Sequence, residues 1–132
     1  MQEEGQKVEK GLQLDKKDMK TLKKKNIIET LNIGNRFYTQ HLIVVYRRNN
    51  LGFPRFAFVI SKKFSKKAVV RNRVKRIIKE ALRHKKGKLS NLSYDIILIP
   101  KKGIFDKKSI DLMTDIEVIL TKLEKDAKKN GN

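Results

Sequence analysis

Residues 56–83 read FAFVISKKFSKKAVVRNRVKRIIKEALR, and a change of period inside this stretch decides the fold. Residues 56–61, FAFVIS, have the β-branched and aromatic composition of a strand. After a lysine-rich connection, Val70, Val74, Ile77, Ile78, Ala81 and Leu82 recur at helical steps. They predict a helix over 67–86 that ends near Gly87. On a wheel at 100° per residue from Val70, these six fall between about 340° and about 120°, on one apolar face. Asn72, Arg76, Lys79 and Arg83 fall on the opposite side, and Arg71 and Arg73 on the two borders of the stripe. The helix therefore docks on a sheet with its back and shows solvent a row of Asn, Arg, Lys and Arg.

Outward from this stretch, residues 94–100, YDIILIP, and 42–46, LIVVY, are continuous apolar runs of the kind found in strands buried on both faces. Pro100 cannot continue a central ladder. Asn49, Asn50, Gly52 and Pro54 mark a turn, so the strands at 42–46 and 56–61 are expected to pair antiparallel across it. Met19, Leu22, Ile27 and Leu31 share a helical face over 15–33, with Asp15 as N-cap and Gly34 as the stop. A last helix over 106–125 carries Ile110, Met113, Ile116, Ile119, Leu120 and Leu123. Residues 1–13 are expected to form a flexible arm and residues 126–132 a frayed tail. With no internal repeat and no dividing linker, residues 1–132 read as a single domain. It is an α+β fold, an α/β sandwich in the order α-β-β-α-β-α, with helices packed on a small mixed sheet.

The 132 residues include 33 Lys or Arg against 14 Asp or Glu, a formal charge of +19. Self-repulsion of that size opposes compaction, and a polyanionic partner is the physical reason to keep it. Residues 1–60 hold 12 basic and 6 acidic side chains, 61–90 hold 13 and 1, and 91–132 hold 8 and 7. The middle segment supplies the candidate binding set: Lys62, Lys63, Lys66, Lys67, Arg71, Asn72, Arg73, Lys75, Arg76, Lys79 and Arg83. Arginine offers a planar fork that matches phosphate bidentately, and lysine acts as a point charge. The helix N-terminus adds a smaller attraction for anions. A charged helix face is ordinarily just a solvated face. With Glu80 the one acid against thirteen bases, that reading is reversed here. Charge alone does not choose between DNA and RNA.

The absence of cysteine removes disulfides, thiolate nucleophiles and cysteine-ligated metals. His41 and His84 are too few for a histidine metal cage. No run of about 18 apolar residues offers a membrane span. The polar N-terminus, with Glu3, Glu4 and Glu9, has neither a signal-peptide nor a transit-peptide pattern, which makes the cytoplasm the simplest location. The carboxylates are scattered. Asp95, alone in a strong strand, reads as a hydrogen-bonding residue, since two-metal hydrolysis needs several convergent oxygen ligands. No catalytic residue and no metal ligand are expected in the chain.

At residues 61–80, SKKFSKKAVVRNRVKRIIKE, the sequence resembles the protein component of bacterial ribonuclease P, whose hallmark is an RNR box leading into a basic helix. Here the box is Arg71, Asn72 and Arg73. The resemblance runs from the helix ending at Gly34 through the LIVVY, FAFVISKK and YDIILIP strands to the last helix, roughly residues 19–125. It implies a left-handed βαβ crossover, against the right-handed rule for such units. It also implies the protein subunit of a ribonucleoprotein endonuclease that removes the 5′ leader from precursor tRNA. The catalytic RNA would hold the Mg2+ and the protein alone would bind no cofactor.

By this resemblance Arg71, Asn72, Arg73, Lys75, Arg76 and Lys79 contact the catalytic RNA, and the single-stranded leader runs in a cleft between the first helix and the sheet. Family members commonly carry aromatics on that helix where this chain has Ile27 and Leu31. Phe37, Tyr46, Phe56 and Phe58 are then the candidates to line the cleft from the sheet side, with core packing the competing reading for each. The expected partners are the catalytic RNA and precursor tRNA, with no membrane and no obligate protein partner. The alternative is a ribosomal or general RNA-binding protein without a role in cleavage.

Overall fold

A computed structural model describes residues 20–129. The expected arm at 1–13, Asp15, Met19 and residues 130–132 lie outside the described residues. The elements are β1 (Lys20–Thr21), α1 (Lys24–Ile33), β2 (Asn35–Tyr38), β3 (Leu42–Arg48), β4 (Arg55–Phe58), α2 (Ala68–Arg83), the single turn α3 (Lys86–Leu89), β5 (Tyr94–Pro100) and α4 (Met113–Lys129). Short 3-10 turns at Lys102–Ile104 and Ser109–Leu112 connect β5 to α4.

The strands form one sheet in the order β1-β4-β5-β3-β2. The most apolar run, β5, takes the centre, antiparallel to β3 and parallel to β4. Parallel neighbours need a crossover, and α2 lies in the connection that makes it. The expected pairing of 42–46 with 56–61 is therefore not made, because β5 lies between the two strands. The connecting loop explains this. The Asn49 N–H donates to the Ser93 carbonyl at 3.0 Å and the Gly52 N–H to Ser93 Oγ at 2.9 Å. The loop is thus pinned across the start of β5 and delivers the chain to its far side. Asn50 (φ 57°) and Gly52 (φ 84°) take the left-handed conformations that such a path requires.

Strand alternation sorts the core onto the two faces of the sheet. On one face Ile27 and Leu31 of α1 pack over Leu22, Val45, Ala57 and Ile97. On the other, α2 and α4 bury Leu42, Val44, Tyr46, Phe56, Tyr94, Ile96 and Leu98 beneath Val74, Ile78, Leu82, Ile116 and Leu120. The α/β sandwich is present, with two more strands than expected. The predicted helix over 15–33 begins only at Lys24. Before it, Thr21 aligns with Phe56 in the β1–β4 ladder and the Leu22 N–H donates to the Phe56 carbonyl at 2.9 Å. Leu22, Ile27 and Leu31 do share one apolar cluster, as their spacing suggested, but Leu22 reaches it from extended chain.

At its far end α1 stops at Gly34, which is not left-handed (φ −74°). A Cβ there would lie 2.5 Å from the Thr30 carbonyl oxygen and 2.8 Å from that of Tyr46, so glycine allows helix and strand to approach. The basic helix breaks earlier than expected, at His84, because Lys85 leaves helical dihedrals (φ −120°, ψ 22°). The last helix continues past Lys125 to Lys129, and Asp126, placed in the expected frayed tail, accepts a hydrogen bond from the Tyr46 hydroxyl. Among the described residues no helix is long and apolar enough to cross a membrane.

Candidate nucleic-acid interface

Val74, Ile77, Ile78, Ala81 and Leu82 are buried, as the wheel requires, and they fix α2 to the sheet. Asn72, Lys75, Arg76 and Arg83 are exposed on its outer side, and Lys62, Lys63, Lys66 and Lys67 are exposed in the loop that leads into it. The side chains of Lys62, Lys63, Lys66, Lys67, Lys75 and Arg76 have no ion-pair or hydrogen-bond partner among the described residues. The first turn of α2 has no acidic residue, and its N-cap, Lys67, provides no side-chain cap. Its terminal N–H groups therefore add to the positive field. Lys79 departs from the wheel: it is half-buried, with Nζ 5.8 Å from the centre of the Phe58 ring.

The two arginines of the box occupy the borders of the stripe and reach sideways. Arg71 Nη1 donates to the Ser65 carbonyl at 2.7 Å, and Arg73 Nη1 donates to the Phe105 carbonyl at 2.9 Å. They hold the loops on either side of α2. Each guanidinium has five N–H donors, so one spent on a carbonyl leaves others for an anion.

The candidate cleft residues divide between the two faces. Ile27 and Leu31 are half-buried on the α1 side. Phe37, Tyr46, Phe56 and Phe58 all belong to the α2/α4 side. Tyr46 and Phe56 are 3% and 2% exposed, and Phe37 meets Tyr46 edge to face. These four aromatics are core or core-edge residues and do not line a cleft under α1, because their strand positions point to the opposite face.

Among the described residues, Tyr38 places an aromatic ring on the α1 side that the local sequence pattern does not mark. Tyr38 lies opposite Ile43 in the β2–β3 ladder, and Ile43 lies opposite Ile99. The row falls two residues from Val45 and Ile97, which α1 covers. Tyr38 is 60% exposed, with Lys101 Nζ 5.5 Å from the centre of its ring. That amine also donates to the Thr39 carbonyl at 2.7 Å, which holds it beside the ring. Phe37 and Tyr38 are adjacent, so in extended chain they face opposite sides of the sheet, but NRFY is short and polar enough to read as a loop.

Buried acids are used structurally. Asp95 accepts Arg55 Nε and Nη2, each at 2.8 Å, and Asn49 Nδ2 at 3.0 Å, which agrees with its reading as a hydrogen-bonding residue. The Arg55 guanidinium, hydrogen-bonded to this carboxylate, is held above its ordinary pKa. Asp115 accepts the Thr39 hydroxyl, the His41 N–H and the His41 ring. Among the described residues no three His, Asp or Glu side chains come together as a metal site.

A strongly basic helix anchored by an apolar back to a mixed sheet, with a half-buried apolar row beside α1 on the opposite face, defines an α/β-sandwich protein built to bind a polyanion. The ribonuclease P family profile matches residues 16–124. A ribonuclease P protein component of Syntrophus aciditrophicus is 35% identical over 81% of this chain and 88% of its own length. One from Fusobacterium nucleatum is 37% identical over 83% of this chain and 98% of its own length. In fold, the chain is similar to the ribonuclease P protein of Thermotoga maritima, with a TM-score of 0.69 and 23% identity over 78% of this chain and 96% of that one. The chain belongs to the ribonuclease P protein family. Ribonuclease P is an RNA-based endoribonuclease of tRNA 5′ maturation, and this family provides its protein subunit.

Proposed function

We propose that the chain serves two RNA segments on opposite sides of its sheet. The outer face of α2 and the loop before it hold the catalytic RNA through Lys62, Lys63, Lys66, Lys67, Asn72, Lys75 and Arg76. The α1 side receives the single-stranded 5′ leader of precursor tRNA, over Ile27, Leu31, Tyr38, Ile43 and Ile99. The supporting observation is the segregation of chemistry: on α2 and the loop before it, exposed cations such as Lys75 and Arg76 with no partner among the described residues, and on the sheet face that α1 packs on, a half-buried apolar row beside the helix with the exposed Tyr38. Single strands are bound by such rings together with basic grooves. Aliphatic Ile27 and Leu31 give contact area without a π-face, so Tyr38, with Lys101 beside it, is the stacking group on that side.

Hydrolysis belongs to the RNA, with Mg2+ held mainly by RNA oxygens, and the reaction takes place in the cytoplasm. The chain contributes positive charge, which reduces repulsion between two polyanions and with it the magnesium needed to bring them together. Reconstitution with a bacterial ribonuclease P RNA at low Mg2+ should restore leader cleavage and favour precursor over mature tRNA. No stimulation at any Mg2+ concentration would refute the reading. Stimulation with equal affinity for both tRNAs would remove the leader site.

A further inference from the structure

We propose that Phe64 and Phe105 form a stacking platform beside the RNR box for one unpaired nucleobase of the RNA whose phosphates lie along α2. The proposal rests on the reading of α2 given above. The two rings come from loops at opposite ends of the α2–β5 unit, 61–67 and 101–108, and stack with centroids 4.8 Å apart and planes 22° apart. Phe64 leans on the core beneath α2, whereas Phe105 is 40% exposed. Core packing accounts for the first ring, but it does not account for a second ring laid on the first and left open to water.

Both loops are held by the box itself. Arg71 grips the carbonyl of Ser65, next to Phe64, and Arg73 grips the carbonyl of Phe105. Ile104, fully buried, roots the second loop from within. The same two arginines therefore carry charge for phosphate and set the position of the rings, which fixes a base site at a constant offset from a phosphate site. The occupant follows from the surroundings. Residues 61–90 hold 13 basic side chains and 1 acidic, and the second loop adds Lys102, Lys107 and Lys108 against the single acid Asp106. This field selects a polyanion over a neutral apolar peptide, and an open phenyl face accepts any base.

The test uses the full chain and a transcript of a bacterial ribonuclease P RNA, with affinity measured by titration and unpaired bases mapped by chemical modification. Phe105→Leu keeps apolar contact with Phe64 and should leave the melting temperature unchanged. It should bind about tenfold more weakly and lose protection at an unpaired nucleotide, with no change in the salt slope because no phosphate contact is removed. Phe105→Tyr should restore affinity and protection. If Phe105→Leu matches the unmodified chain, or if Phe105→Tyr is impaired equally, the platform is overturned and the role of α2 stands. If the unmodified chain does not bind the transcript, both fall.

Discussion

Asp115 joins His41 twice: one carboxylate oxygen accepts the His41 backbone N–H at 2.7 Å, and the other accepts ring Nδ1 at 2.9 Å. The Thr39 hydroxyl donates to the first oxygen as well, at 2.5 Å. Asp115 is 1% exposed and sits in the first turn of α4, so this cluster ties the β2–β3 turn to the last helix. Removing one partner of a buried, hydrogen-bonded charge leaves the others unpaired. Asp115→Ala should lower the unfolding free energy by about 3 kcal/mol in urea denaturation, and Asp115→Asn by less. A loss for Asp115→Ala within experimental error would show that the cluster does not hold the turn.

Gly34 makes a separate stability prediction. Because an added Cβ would meet two carbonyl oxygens of rigid backbone, Gly34→Ala should destabilise by about 1–3 kcal/mol, although its φ suits any residue. An unchanged midpoint would mean that α1 shifts freely on the sheet, which would also undercut the fixed cleft proposed beneath it.

Alkaline pH tests the other side of the sheet. Burial, then donation to Asp126 and the charge of that carboxylate, push the Tyr46 hydroxyl well above its ordinary value near 10. Burial also raises Tyr94, whose hydroxyl has no partner among the described residues. With its folded pKa above its unfolded one, Tyr46 contributes fully below pH 10. The native state holds more protons as the pH rises beyond that, so stability falls. Tyr46→Phe should show a shallower alkaline decline than the unmodified chain, compared over pH 9–11. Equal slopes would mean that Tyr46 does not carry this linkage.

Salt dependence tests the α2 face. Arg76→Ala and Lys75→Ala should each flatten the log–log plot of RNA affinity against salt by roughly 0.7–0.9 without changing stability, since both side chains are exposed. Arg73→Ala should do this and also loosen the loop at Phe105. An unchanged slope for Arg76→Ala would place that side chain off the RNA.

The parts of this protein set by periodicity were legible in its sequence. The buried residues of α2, the continuous run of β5 and the outward cations all follow from local spacing. What escaped depends on contacts distant in the chain. The strand order departs from a hairpin because the turn residues Asn49 and Gly52 bond to Ser93 and Asp95, more than forty residues away, which carries the loop after β3 across β5. Assigning Phe37, Tyr46, Phe56 and Phe58 to the α2/α4 face requires strand register, and β2 is too short to show a period. Arg71 and Arg73 were legible as cations, yet their grip on two loops was not, since neither Ser65 nor Phe105 announces itself as an acceptor.

If the two RNA segments lie on opposite sides of one sheet, photocrosslinking of the assembled holoenzyme will separate them. A crosslinker on the 5′ leader should attach near Tyr38, Ile27 and Leu31, and crosslinkers on the catalytic RNA should attach near Lys62, Lys75 and Arg76. Leader crosslinks on the α2 face, with none near Tyr38, would contradict that arrangement.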